Sequence, residues 1–179
     1  VFDRSFEADV AATLDLDSAL SRALVRREMS VLFQPLVRMA DGGIDGFEAL
    51  LRWRHDGTSY PPDVFIPLAE RNGSIVEIGR WVLGEALSAL KGWRAVPGHE
   101  HVTVSVNVSA RELLEDDFAE SVLSAVVASG VPADRLVLEL TEHALVDVRA
   151  AHPMLSRLRA AGITISVDDF GTGYSSLTQ

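Results

Sequence analysis

Four hydrophobic runs with a period of two constrain the fold of this chain more than any other feature. They span residues 44–53, 102–109, 136–142 and 163–169. A period of two is that of a β-strand, so each run has one apolar face and one face that carries polar groups. Each polar face has an oxygen-bearing side chain near its C-terminal end: Glu48, Asn107, Glu139 and Asp168. The pattern predicts strands that turn oxygen donors toward one side, as in the wall of a metal site.

The segments around these runs predict alternating helices and strands. A first strand is expected at 30–38, and the turn sequence Asp41-Gly42-Gly43 after it indicates an antiparallel first pair. Helices are predicted near 16–28, 63–71, 75–93, 109–129 and 149–161, and a capping box of Ser109 and Glu112 begins the fourth. The order β-α-β-α-β-α-β then favours parallel strands in a barrel or a doubly wound sheet. The polar strand face favours the barrel, whose active sites lie at the C-terminal strand ends.

Composition excludes several classes of protein. Of the 179 residues, 47% are hydrophobic, enough for one domain with a core, and no apolar run approaches the roughly 18 residues of a membrane span. The absence of cysteine excludes disulfides and thiolate metal sites. It fits a cytoplasmic protein, which domains outside this chain could still tether to a membrane. The formal net charge of −10 argues against binding of polymeric nucleic acid, although divalent cations would let carboxylates hold a small phosphorylated ligand.

Five motifs occur in a fixed order along the chain. They are Phe33-Gln34-Pro35, Glu48-Ala49-Leu50-Leu51-Arg52-Trp53, Ser105-Val106-Asn107-Val108-Ser109, Glu139-Leu140-Thr141-Glu142 and Asp168-Asp169-Phe170-Gly171-Thr172-Gly173-Tyr174-Ser175-Ser176. Together they closely resemble the EAL-domain family, bacterial phosphodiesterases that linearise the second messenger cyclic di-GMP. Each motif alone is weakly specific, whereas the five in this order and spacing are highly specific. The resemblance runs from about residue 16 to residue 179.

The resemblance implies an α/β fold, a modified TIM (β/α)8 barrel with an antiparallel first strand. Only the first five strands are expected in this chain, so residues 16–179 would be the N-terminal part of an EAL domain. Residues 1–15 would be a linker from an upstream GGDEF or sensory domain. A homodimer is also expected.

The resemblance further implies a two-metal site that uses Mg²⁺ or Mn²⁺. Glu48, Asn107, Glu139, Asp168 and Asp169 would hold the metals, and Glu48, Asp168 and Asp169 would be catalytic. Gln34 and Arg52 would contact cyclic di-GMP, with Pro35 and Leu50 lining its pocket, and Glu142 would anchor the loop 170–176. Such a site suits the reaction, because two hard cations neutralise the phosphodiester and lower the pKa of the attacking water. The expected product is linear pGpG.

The family pattern also includes a lysine on strand six, a glutamate on strand seven and a glutamine on strand eight, and the sequence ends before all three. Its only lysine is Lys91, on a predicted helix. We therefore expect a longer domain. Residues 1–179 alone are expected to bind metal poorly and not to hydrolyse cyclic di-GMP.

Other interpretations stay open at the level of sequence. The strand-end donors could be satisfied structural groups, Asp169 could begin a turn, and Arg52 could pair with Glu48 inside the barrel. The histidines have no ligand spacing and are expected at the surface or at helix caps. Two functional alternatives to the phosphodiesterase are a noncatalytic cyclic di-GMP receptor and an enolase-type barrel. The intact donor set argues against the receptor, and the lack of a strand-end lysine or histidine argues against the enolase type.

Overall fold

The computed structural model describes residues 15–141 and 148–168. Its strands are β1 (Met29–Val37), β2 (Ile44–His55), β3 (Thr58–Tyr60), β4 (Thr103–Val108), β5 (Leu136–Thr141) and β6 (Thr164–Asp168). Residues 15–20 form α1, and the later helices are α2 (Pro62–Asn72), α3 (Ser74–Arg94), α4 (Ala110–Leu113), α5 (Phe118–Ser129) and α6 (Val148–Ala160). A 3₁₀ turn covers Ala133–Arg135. Within the described ranges no helix is long and apolar enough to cross a bilayer.

The strands form one sheet in the order β1-β2-β4-β5-β6, and β3 also pairs with β2. β1 and β2 are antiparallel, whereas β2, β4, β5 and β6 run parallel with helices between them. This confirms the predicted antiparallel first pair followed by parallel strands. The reason is local, since residues 38–43 are too few for the crossover that a parallel pair requires.

One edge of β2 is shared by two partners. β4 pairs with Gly46–Ala49, and β3 pairs with Trp53–His55. Among the described residues, positions 50–52 therefore have no strand partner on that edge. The gap opens beside the C-terminal end of β4, where polar side chains were predicted to gather.

The apolar strand faces pack against the helices as the period of two predicts. Val104, Val106 and Val108 on β4 are all buried, as are the leucines of β5 at 136, 138 and 140. Phe33 and Phe47, from the antiparallel pair, both contact Trp93 at the end of α3, with ring centroids 4.9 and 4.1 Å apart. The core therefore lies between the sheet and the helices, and the polar strand face is directed away from it.

Two local predictions were wrong, and one short strand was missed. The helix expected over 109–129 is interrupted, because α4 ends at Leu113 and α5 begins at Phe118. Leu113 and Phe118 are both buried, but residues five apart in one helix point about 140° away from each other. The break lets both side chains reach the core. The helix expected over 16–28 gives way to turns at 21–27, and the short strand β3 was not predicted.

Candidate functional site

The predicted site residues lie on adjacent strands in a staggered register. Glu48 pairs with Gln34 on β1 and with Ser105 on β4, two residues before Asn107. Asn107 pairs directly with Glu139 on β5. Because directly paired residues of neighbouring strands project to the same side of a sheet, Gln34, Glu48, Asn107 and Glu139 share one face. The register alone therefore brings residues from four strands to one wall.

Glu48 and Asn107 are in direct contact. Asn107 Nδ2 donates a hydrogen bond to Glu48 Oε1 over 2.9 Å, between residues 59 positions apart in the chain. An octahedral magnesium ion holds oxygen ligands at about 2.1 Å, so neighbouring ligand atoms lie about 3 Å apart. A half-turn of the Asn107 amide would present its oxygen in place of its nitrogen. The pair therefore fits two neighbouring oxygen ligands of one divalent cation.

The acidic residues of β5 and β6 continue the same wall. Glu139 pairs with Ser166, and Asp168 takes the register position beside Thr141, two residues further along each strand. Asp169, Glu142 and the loop 170–176 lie outside the described residues, so their predicted roles remain predictions. No group of three or more His, Cys, Asp or Glu side chains in the described parts of the chain could hold a metal ion. Of the predicted carboxylate ligands, the structure describes the side chains of Glu48 and Glu139, and Asn107 shares their strand face.

Arg52 lies in the gap along the edge of β2. Its Nη1 donates to the carbonyl oxygen of Leu51 over 2.9 Å, so the guanidinium occupies the stretch that neither β3 nor β4 covers. The ion pair with Glu48 that the sequence left open is not formed. A cavity of about 250 Å³ adjoins this stretch and is lined by Leu50, Arg52 and Asn107, and by side chains of α2 and α3. Two residues predicted to meet substrate thus share a cavity wall with a predicted metal ligand.

Gln34 and Pro35 fall on opposite faces of β1. Gln34 is exposed beside Glu48, whereas Pro35 pairs with Phe47, whose ring is directed at α3. The register therefore places Gln34 on the wall with the oxygen donors, and Pro35 on the side of the sheet where Phe47 packs.

Sequence reasoning missed Glu112 as a buried acid. Its side chain is 7% exposed and accepts hydrogen bonds from Ser109 N (2.9 Å) and Ser109 Oγ (2.7 Å). Burial raises the pKa of Glu112 to about 7, and the Ser109 hydrogen bonds oppose the rise. The capping-box spacing identified Glu112 only as a helix cap. No local signal could have predicted its burial, which depends on packing against α3.

His55 is also less exposed than predicted. Its Nδ1 lies 3.0 Å from Glu28 Oε2, and the two side chains are 16% and 17% exposed. The same Glu28 oxygen accepts from the Trp53 indole over 3.3 Å. Glu28 therefore joins the segment before β1 to the end of β2.

A comparison with protein families identifies the chain. The model of the EAL domain matches residues 17–179. The chain belongs to the EAL domain family. Its antiparallel first pair, parallel sheet and alternating helices are those of the modified TIM barrel, of which the first strands are present.

Two curated relatives come from Pseudomonas aeruginosa. MucR, a bifunctional diguanylate cyclase/cyclic di-GMP phosphodiesterase, is 40% identical over 178 residues, which are 98% of this chain and 26% of MucR. The cyclic di-GMP phosphodiesterase NbdA is 39% identical over 178 residues, 98% of this chain and 23% of NbdA. The chain thus spans about a quarter of the length of these EAL-domain relatives.

Solved EAL structures share the fold. The PaMucR phosphodiesterase in complex with c-di-GMP has a TM-score of 0.84 and 40% identity, over 90% of this chain and 66% of that one. The EAL enzyme Bd1971, bound to cAMP and cyclic di-GMP, has a TM-score of 0.86 and 27% identity, over 94% of this chain and 47% of its own.

Proposed function

We propose that this chain is the metal- and substrate-binding part of a cyclic di-GMP phosphodiesterase that yields linear pGpG. The contact between Glu48 and Asn107, which places two predicted ligands of one divalent cation 2.9 Å apart, is the observation that carries the proposal. The relatives support it, since MucR and NbdA are named as cyclic di-GMP phosphodiesterases and a MucR phosphodiesterase has been solved with c-di-GMP.

In this proposal the strand-end residues hold two divalent cations, Mg²⁺ or Mn²⁺. Glu48, Asn107 and Glu139 would be ligands together with Asp168 and Asp169. When bound, the cations neutralise the phosphodiester and lower the pKa of the attacking water. Carboxylate and amide oxygens are the ligands that such hard cations prefer, and the wall has them on adjacent strands.

Arg52 would grip the phosphate. Its planar guanidinium can donate two parallel hydrogen bonds to phosphate oxygens, and Arg52 and Asn107 line the same cavity. In the structure the Arg52 guanidinium donates a hydrogen bond to the Leu51 carbonyl oxygen. When the dinucleotide binds, the guanidinium would either give up this hydrogen bond or donate to the carbonyl and to a phosphate oxygen together. Leu50 and Gln34 would complete the substrate contacts, and Glu142 would anchor the loop 170–176. Pro35 is left out of this contact set, because the register places it on the opposite face of β1 from Gln34.

The wider organisation belongs to the same proposal. Residues 1–15 would be a linker from an upstream GGDEF or sensory domain, and the domain would act as a cytoplasmic homodimer. The double activity in the name of MucR supports a neighbouring cyclase domain.

The test is hydrolysis of cyclic di-GMP by the full gene product that contains this chain, with Mg²⁺ or Mn²⁺, followed by chromatography of pGpG. Loss of a residue that only supports a metal ligand typically lowers activity about 10–100-fold. Glu48→Gln alters a proposed ligand itself, so it should lower the rate of hydrolysis by more than this. Glu85→Gln, a matched change on the exposed side of α3, should leave it unchanged. No pGpG with either metal would reject the proposal, and tight binding without hydrolysis would favour the receptor instead.

Residues 1–179 alone should not hydrolyse cyclic di-GMP. Their only lysine, Lys91, is exposed on the helix α3, so it cannot supply the family's strand-six lysine. Hydrolysis by this segment at the rate of the full product would overturn the family mechanism proposed here.

A further inference from the structure

Glu112 is the only buried acidic or basic residue among the side chains that the structure describes. It belongs to α4, a helix of four residues that follows directly after β4. It lines the same cavity as Asn107, which lies near the end of β4. A buried carboxyl group next to the candidate site requires a physical reason, because burial of a charge costs free energy unless hydrogen bonds compensate.

The Glu112 carboxylate joins two parts of the fold. Its Oε2 accepts from both the backbone N–H and the hydroxyl of Ser109, the residue that follows β4 and caps α4. Its Oε1 faces α3, where a Cβ atom built on Gly79 would lie only 1.9 Å away. One oxygen thus holds the β4–α4 turn while the other is wedged against α3, and glycine at 79 provides the space.

An ordinary helix cap does not require this burial. A glutamate at the third position of a capping box gains from the helix dipole while it stays in water. Glu112 is instead enclosed, with Glu70 of α2 and Arg80 of α3 as the charged groups that act on it. Because burial raises its pKa to about 7, its neutral form is populated near neutral pH. A neutral amide of the same shape should therefore replace it well.

The restraint that Glu112 places on Ser109 reaches Asn107 through the short segment between these two residues. Val108 is buried and pairs with Leu140 of β5, so the backbone has little freedom between the two residues. A shift of Ser109 would therefore shift Asn107, whose amide lies 2.9 Å from Glu48.

We propose that Glu112 is a positioning residue: it fixes the end of β4 against α3 and thereby keeps the Asn107 amide beside Glu48. The inference rests on the proposed function, in which Asn107 and Glu48 hold a divalent cation. Glu112 itself touches neither metal nor substrate in this account.

Four variants of the full gene product test the proposal. Glu112→Ala removes the oxygen that accepts both Ser109 hydrogen bonds, and Gly79→Ala displaces the carboxylate from the α3 side without changing β4 or α4. Glu112→Gln keeps an acceptor for Ser109, and Glu85→Ala is the exposed control. The measurements are the Mn²⁺ concentration for half-maximal hydrolysis of cyclic di-GMP, and hydrogen exchange in the segment 103–113.

Glu112→Ala and Gly79→Ala should each raise the half-saturating Mn²⁺ concentration about 10-fold or more. Exchange should accelerate in 103–113 but not in β5. Glu112→Gln should restore both readouts to the level of the Glu85→Ala control. A half-saturating concentration in Glu112→Ala equal to that of the control would overturn the inference, as would exchange that accelerates uniformly through the domain.

The two proposals can fail separately. If the unmodified protein produces no pGpG at any Mn²⁺ concentration, the proposed function falls, and hydrogen exchange alone decides whether Glu112 holds the turn. If the unmodified protein is active and Glu112→Ala is equally active, only the positioning role is wrong.

Discussion

Gly46 of β2 and Thr103 of β4 face each other so closely that a Cβ atom at residue 46 would lie 2.3 Å from Thr103 Oγ1 and 3.0 Å from the Thr103 carbonyl oxygen. The two residues are register partners at the first pair of the β2–β4 ladder. Glu48 follows two residues later on the same strand face. The close approach at Gly46 therefore sets how β4 meets β2 just before the candidate site.

Gly46→Ala should destabilise the chain by about 1–3 kcal/mol, the usual cost of an extra carbon in a filled space. The Thr103 side chain can rotate away, but the carbonyl oxygen belongs to the ladder and cannot. Urea unfolding followed by tryptophan fluorescence measures the change.

Gly84→Ala is the matched control and should have the opposite sign. Gly84 is exposed in α3 and an added Cβ would meet no atom within 4 Å. Alanine should therefore raise the free energy of unfolding by about 0.5–1 kcal/mol, because it restricts the unfolded chain and favours the helix. Destabilisation by both substitutions would contradict the assignment of Gly46 as a close-packing position.

Glu28→Ala should cost about 1–3 kcal/mol of stability, because it leaves the buried Trp53 indole N–H without its acceptor. It also removes the carboxylate beside His55. Glu85→Ala, on the exposed face of α3, should change stability by no more than about 0.5 kcal/mol. Equal unfolding midpoints for the two variants would show that Glu28 is not a structural link between the segment before β1 and the end of β2.

The stability of the chain should depend on pH through Glu112. Its pKa is about 7 in the fold against an ordinary value of 4.5, so between these values the folded state binds more protons than the unfolded state. The contribution of Glu112 therefore decreases as pH rises from about 4.5 to about 7, by about 3 kcal/mol in all. Glu112→Gln removes the titration, so the variant should gain stability relative to the parent at pH 8 but not at pH 4.5. A difference between the two proteins that stays constant with pH would contradict this.

Arg52→Lys should raise the KM for cyclic di-GMP about 10-fold, because an ammonium group cannot form the paired, parallel hydrogen bonds of a guanidinium. The unfolding midpoint should change little. Arg54→Lys is the matched control, since Arg54 is exposed on the same strand beyond the site. A KM equal to that of this control would remove Arg52 from the substrate contacts.

Local patterns in the sequence determined the strands and their faces. Alternation at 102–108 predicted that the valines at 104, 106 and 108 are buried, because every second residue of a strand projects to the same side. It did not predict that Ser105, on the opposite face, is buried as well. The Asp41-Gly42-Gly43 turn predicted the antiparallel pair, and the spacing of Ser109 and Glu112 predicted a capping box that the structure contains. These features depend on residues within a few positions of each other.

Only the tertiary structure decided what these elements contact. The register that places Asn107 beside Glu139, the gap in the β2 edge that Arg52 occupies, and the wedge of Glu112 against Gly79 each join distant parts of the chain. No short pattern encodes such contacts, because they depend on how far neighbouring strands slide past each other and on which helix covers them. The sequence therefore determined which side chains lie on the polar face, and the packing of separate elements decided which of them meet.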